Sequence, residues 1–225
     1  MRRVISLLFP VLFILAACGG SSAPETLTVT APASTEAVST EAAPPVFYAG
    51  KASGLITPVR SLGEGWAKNG SLTKALVGKN GSFSTEQPKK RVAPIAKGVT
   101  SFADQFFTIE DGFSSQSLEH TVIVYNSDEA ARVALDAVLG VCTSLPSRHY
   151  AVKEVNPPLV LGKAARAVRG SIESEGVKFP VGLIAWQQAN IVQVVEGRGQ
   201  LTAPNALASR IAKAAYRQTE ATLAG

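Results

Sequence analysis

Glu119-His120-Thr121-Val122-Ile123-Val124-Tyr125-Asn126-Ser127-Asp128-Glu129-Ala130 reads as a strand that runs straight into a helix. Thr121, Ile123 and Tyr125 alternate with His120, Val122 and Val124, and β-branched and aromatic side chains in that order suit a pleated surface. Asn126 or Ser127 then offers an oxygen to cap a helix. Asp128 and Glu129 put negative charge on the positive end of its dipole. The apolar positions beyond, Ala130, Val133, Ala134, Ala137, Val138, Val141 and Cys142, form one continuous stripe. That stripe predicts a sheet beneath the helix.

Upstream, Gln105 to Ile109 reads as a further strand. Downstream, after a loop around Pro146, the pattern predicts a strand from His149 to Val155 and then an antiparallel meander: Ala165 to Glu173, Val177 to Gln187 and Ile191 to Gly197. Glu173-Ser174-Glu175-Gly176 and Gln188-Ala189-Asn190 supply the polar turns. Thr202 with Pro204 opens a last helix, with Leu207, Ile211, Ala214 and Ala215 on one face and Arg210, Lys213 and Arg217 on the other. The fold class is α+β, an antiparallel sheet with helices packed on it. Residues 47–100 carry Gly54, Pro58, Gly63, Gly65, Gly70, Gly78, Gly81, Pro88 and Pro94, which predict short elements and long loops, with a brief helix from Ser71 to Val77.

The run Val122-Ile123-Val124-Tyr125-Asn126-Ser127, the helix bearing Cys142, the hairpin Leu183-Ile184-Ala185-Trp186 with Asn190 to Val195, and a terminal helix Ala206 to Thr219 form a pattern. It resembles actinobacterial cell-envelope lipoproteins and the extracellular sensor domain of serine/threonine kinases. It is also similar to PsbP-like lipoproteins. The resemblance covers 102–219 and implies a sensor-domain or PsbP-like sandwich, a ligand-binding or sensing module of the envelope without known catalysis. It brings over no catalytic residue. The sensor domains are stapled by disulfides, whose partner cysteines this chain lacks.

The amino terminus supplies the address. Arg2 and Arg3 precede an apolar run, Val4 to Ala17, that is long enough for a signal peptide and short for a permanent span, which needs roughly 20 apolar residues. Leu15-Ala16-Ala17-Cys18 resembles the lipobox of bacterial lipoproteins, so Cys18 is read as the lipidation site. Residues 1–17 form the leader and 18–45 a lipidated, disordered Ser/Thr/Ala/Pro tether, which has too few apolar groups to fold. Residues 46–225 form a single globular domain. The expected location is extracytoplasmic, held by acyl chains to the cell membrane, or to the outer membrane in a host with two.

Charge and cysteine content narrow the functions. The 22 basic residues less Arg2 and Arg3, set against 17 acidic ones, leave +3 on the mature chain. An exported protein meets no nucleic acid, so anionic lipid headgroups or envelope polymers are the acidic partners that fit. Once Cys18 is acylated, Cys142 is the remaining thiol, and the fold must stand without an internal disulfide.

Ser71-Leu72-Thr73-Lys74 matches the Ser-x-x-Lys pattern of penicillin-recognising enzymes, but no Lys-Thr-Gly follows and Ser127-Asp128-Glu129 is not Ser-Asp-Asn. With His120 and His149 as the only histidines, no metal site is expected. His120 reads as a core or half-buried residue, His149 as surface, and Cys142 as a small core residue with no cation within one turn to lower its pKa. Arg210, Lys213 and Arg217 form a candidate envelope-facing basic face, and Lys89, Lys90 and Arg91 a second basic cluster. Trp186 is a candidate pocket lining for a hydrophobic ligand. The expectation is a lipoprotein that binds a ligand or an envelope protein, without cofactor or catalysis. The alternatives are an assembly role, docking on another envelope protein, and an unrecognised envelope hydrolase.

Overall fold

Glycines and prolines thin out after residue 98, and from there the chain builds long strands. The computed structural model describes residues 47–70, 89–110, 115–144, 149–162, 164–174, 176–199 and 204–225. The leader, Cys18, the tether and the Ser71 to Val77 segment lie outside the described residues. The strands are β1 (Ala67–Lys68), β2 (Val99–Glu110), β3 (Ser115–Tyr125), β4 (His149–Val155), β5 (Arg166–Ser174), β6 (Val177–Gln188) and β7 (Ile191–Gly199). They form one seven-stranded antiparallel sheet in the order β1-β2-β3-β7-β6-β5-β4. The helices are α1 (Lys89–Ala96), α2 (Asp128–Cys142) and α3 (Pro204–Ala224).

Strand alternation sorts the side chains into two faces. Ile123, Tyr125, Val168, Ile172, Val181, Leu183, Ala185, Val192 and Val194 turn to α2 and meet Ala131, Ala134, Leu135, Val138 and Val141. Leu118, Ala167, Ile184, Trp186 and Val195 turn the other way and meet Leu207, Ala208, Ile211, Ala212 and Ala215 of α3. Central strands β6 and β7 are buried on both faces over most of their length, so apolar residues occupy both faces of each, interrupted in β7 by Gln193, Glu196 and Arg198. The α+β class read from the sequence is the observed one.

Local signals explain the junctions. Ser127 is extended and its hydroxyl accepts from Ala130 N at 3.1 Å, which starts α2. Tyr125 Oη donates to Ile95 O at 3.0 Å and ties α1 to the end of β3. That contact, with Ile95 buried, holds a helix of about two turns, one of the short elements expected here, despite Pro94 within it. Residues 47–62 lie against β2 and β3 through short 3-10 turns, fastened where Tyr48 N donates to Asn190 Oδ1 at 2.8 Å and Asn190 Nδ2 returns a bond to Tyr48 O at 3.0 Å.

Candidate functional site

Each face of the sheet holds a buried polar cluster, and the two differ in kind. On the α3 side, His120 Nδ1 accepts from Thr57 N at 3.1 Å, which puts the ring proton on Nε2, where it donates to Gln193 Oε1 at 3.0 Å. Gln193 Nε2 donates to Thr219 Oγ1 at 2.9 Å and Gln188 Nε2 to Tyr216 O at 3.1 Å. Trp186 Nε1 donates to Gln188 Oε1 at 3.0 Å. Burial pushes the His120 imidazole down to about 4, with the Gln193 contact opposing part of that, so the ring is neutral. This chain of bonds locks α3 to the sheet and leaves the buried Thr57 hydroxyl without a hydrogen-bond partner.

On the α2 side the polar groups border open space. Register sets Glu119 of β3 directly opposite Glu196 of β7, and Asp104 of β2 opposite Thr121 of β3. Two carboxylates placed that way repel unless a cation lies between them. Arg198, one step along the same face of β7, provides it: the guanidinium contacts Glu196 through Nε and reaches Glu119 Oε2 from Nη2 at 3.3 Å. Burial alone would lower its pKa, but Glu196 and Glu119 more than offset that and hold Arg198 charged. The guanidinium also lies 6.0 Å from the centre of the Phe106 ring. Thr121 Oγ1 donates to Asp104 Oδ1 at 3.4 Å.

Bordering this group is a cavity of about 40 Å³, lined by Ile95, Phe102, Ile123, Val138, Val141 and Val194 together with Cys142, Glu119, Thr121 and Glu196. A volume of that size holds water-sized occupants only. A larger ligand requires α2 to move off the sheet. Burial pushes the Cys142 thiol up, and the carboxylates of Glu196, Glu119 and Asp104 add to that, which keeps it protonated and a poor nucleophile. Among the described residues no cluster of His, Cys, Asp and Glu is arranged to hold a metal ion. The arrangement can orient a polar group beside an apolar slot.

The residues singled out from the sequence are scattered. Trp186 lies fully buried under α3, on the face opposite the cavity, and is not a pocket wall there: it shares a face with Ile184, whereas Leu183 and Ala185 point toward α2. Arg210, Lys213 and Arg217 are all exposed along α3, and Arg210 Nη2 donates to Leu62 O at 3.2 Å, so one of the three also clasps the amino-terminal segment. Lys89, Lys90 and Arg91 begin α1, and their side chains fall outside the described residues, as do Ser71 and Lys74. His120 is fully buried, and His149 is exposed on β4. Sequence reasoning missed Glu119, Glu196 and Arg198. The available signal was period two along β7, where Glu196 and Arg198 follow Val194 on one face.

No family model matches the chain, and no curated protein matches it. The structure is similar to the solved extracellular domain of PknH from Mycobacterium tuberculosis, with a TM-score of 0.47 and 10% sequence identity, over 73% of this chain and 94% of that one. No helix among the described residues is long and apolar enough to cross a membrane.

Proposed function

We propose that this chain is an exported lipoprotein, acylated at Cys18, whose α+β domain binds a hydrophobic ligand or an envelope partner without chemistry of its own. The observation that carries the binding role is the small apolar cavity beneath α2 with Glu119 and Glu196, both held by Arg198, among its lining, which a ligand larger than water enters by displacing α2. Fixed charge beside apolar walls is the composition of a site that orients an amphiphilic molecule. Cys142 and His120, both protected by burial and one of them on the wrong face, supply no nucleophile and base in common. The address rests on Arg2-Arg3, the apolar run and Leu15-Ala16-Ala17-Cys18.

Native mass spectrometry of the chain purified from its host tests the binding role. A retained small molecule that disappears when Val138→Phe fills the slot supports the reading. A parent chain that carries no added mass, or retention indifferent to Val138→Phe, overturns it, and a stoichiometric protein favours the assembly role instead. Metabolic labelling with a fatty-acid probe, comparing the native chain with Cys18→Ala, tests the anchor separately.

A further inference from the structure

At the outer edge of the sheet one face carries two like charges, while Glu154 of the same edge strand turns to the other face. Lys153 of β4 stands directly opposite Arg169 of β5, and both are exposed. Like charges so placed repel. Their neighbours on the same face are Ala151 and Val155 along β4, Ala167 and Ser171 along β5, and Gly182 across on β6, all uncharged. No ion pair among the described residues includes either cation. Farther along the same strands Glu173 stands opposite Lys178, so complementary charge is used where the surface is simply solvated.

The chain leaving β4 adds an apolar tip to this edge. Pro157 and Pro158 stiffen the approach, and the 3-10 turn Leu159–Leu161 follows, closed by Gly162 at φ +76. Leu161 is buried among the residues under α3, which pins the turn. Leu159 is 97% exposed and Val160 39%. A single exposed leucine is ordinary. Here it is held out on a pinned stem that leaves the strand bearing Lys153, and Lys153 and Arg169 belong to the same sheet face as Val155, Ala167 and buried Leu161. An open groove of about 630 Å³ runs along this edge, with Lys153 and Arg169 among its walls.

We infer that this edge is a contact surface for an anionic lipid membrane: Leu159 and Val160 enter the boundary between headgroups and acyl chains, and Lys153 and Arg169 lie over the phosphates. The domain itself carries the surface, so the inference does not depend on acylation of Cys18. An anionic polymer would use the cations alone and leave the apolar tip in water. The combination therefore selects a lipid surface.

The test is co-sedimentation of the unacylated chain Gly19–Gly225, which leaves the compact unit Ala43–Gly225 whole, with phosphatidylcholine vesicles with and without phosphatidylglycerol. Binding to the anionic vesicles is expected, weakening with added salt. Lys153→Ala with Arg169→Ala is expected to lower it about thirtyfold, and Leu159→Ser about tenfold. Lys213→Ala with Arg217→Ala is expected to leave it unchanged. No vesicle binding by the parent overturns the inference, as does binding that survives both edge variants. Loss on changing α3 would move the contact there, and indifference to Leu159→Ser would assign the cations to a polymer. Fatty-acid labelling at Cys18 is read out independently, so failure of the anchor and failure of this surface are distinguishable.

Discussion

Glu119 and Glu196 face each other across β3 and β7 and share the guanidinium of Arg198. Their side chains and that of Arg198 are largely buried, so the group behaves as a unit. Removing the cation leaves two carboxylates with little water around them.

Arg198→Met is therefore expected to destabilise the fold by on the order of 3–5 kcal/mol at neutral pH. The sign with pH follows from the carboxylates. Acid neutralises the two facing carboxylates and removes the repulsion that Arg198 offsets, so the deficit shrinks as the solution is acidified. Adding Glu119→Gln and Glu196→Gln should recover much of the loss at neutral pH. Urea unfolding across pH checks both.

His120 makes the opposite statement about acid. Its pKa is lowered from 6.5 to about 4 in the fold, so the unfolded chain takes up the proton first as pH falls. The stability that the neutral ring contributes is present above pH 6.5 and is lost between there and about 4, on the order of 3 kcal/mol in all. The imidazole resonances of His120 should remain those of the neutral ring down to pH 5. A midpoint near 6.5 in the folded protein would contradict the buried contact with Gln193.

Cys142 borders the cavity, with its pKa raised by burial first and by Glu196, Glu119 and Asp104 after that. A thiol reagent at neutral pH should label it at least about tenfold more slowly in the folded chain than in urea, because the thiolate is the reacting form. Equal rates would mean that α2 does not stay on the sheet.

Gly170 has no room for a side chain. A Cβ there would lie 2.0 Å from Ala151 O and 2.8 Å from Val152 Cα, both backbone atoms of β4. Gly170→Ala is expected to cost on the order of 3 kcal/mol. Hydrogen exchange should show protection lost along β4 and kept along α2.

Local signals were readable and long-range ones were not. The Ser127 cap, the meander and the terminal helix follow from side-chain chemistry within one element, and the structure has each of them; the α2 stripe holds only in part, because Val133 is exposed while Ala131, Leu135 and Leu139 are buried. β2 and β3 extend well beyond Gln105 to Ile109 and Glu119 to Tyr125 because each pairs with the other along its whole length, which carries weak strand formers such as Ala103, Asp104 and Ser117. The face that Trp186 takes is set by its parity with Ile184, which only the packing of the sheet under α3 reveals. The pairing of Glu119 with Glu196 spans most of the second half of the chain and depends on strand order, which no local pattern encodes.

Tyr48 and Asn190 decide how the domain would answer tension on its leading end. A pull transmitted from residues before 47 arrives first at the bonds between Tyr48 and Asn190, while Asn190 Nδ2 also holds Tyr125 O at 2.7 Å. Load at that clasp falls on the tight turn between β6 and β7 and on the last residue of β3. The first element to peel would be the strap of residues 47–62, and with it the Thr57 amide that His120 accepts from. Mechanical force would thus uncover the neutral imidazole before the sheet itself yields.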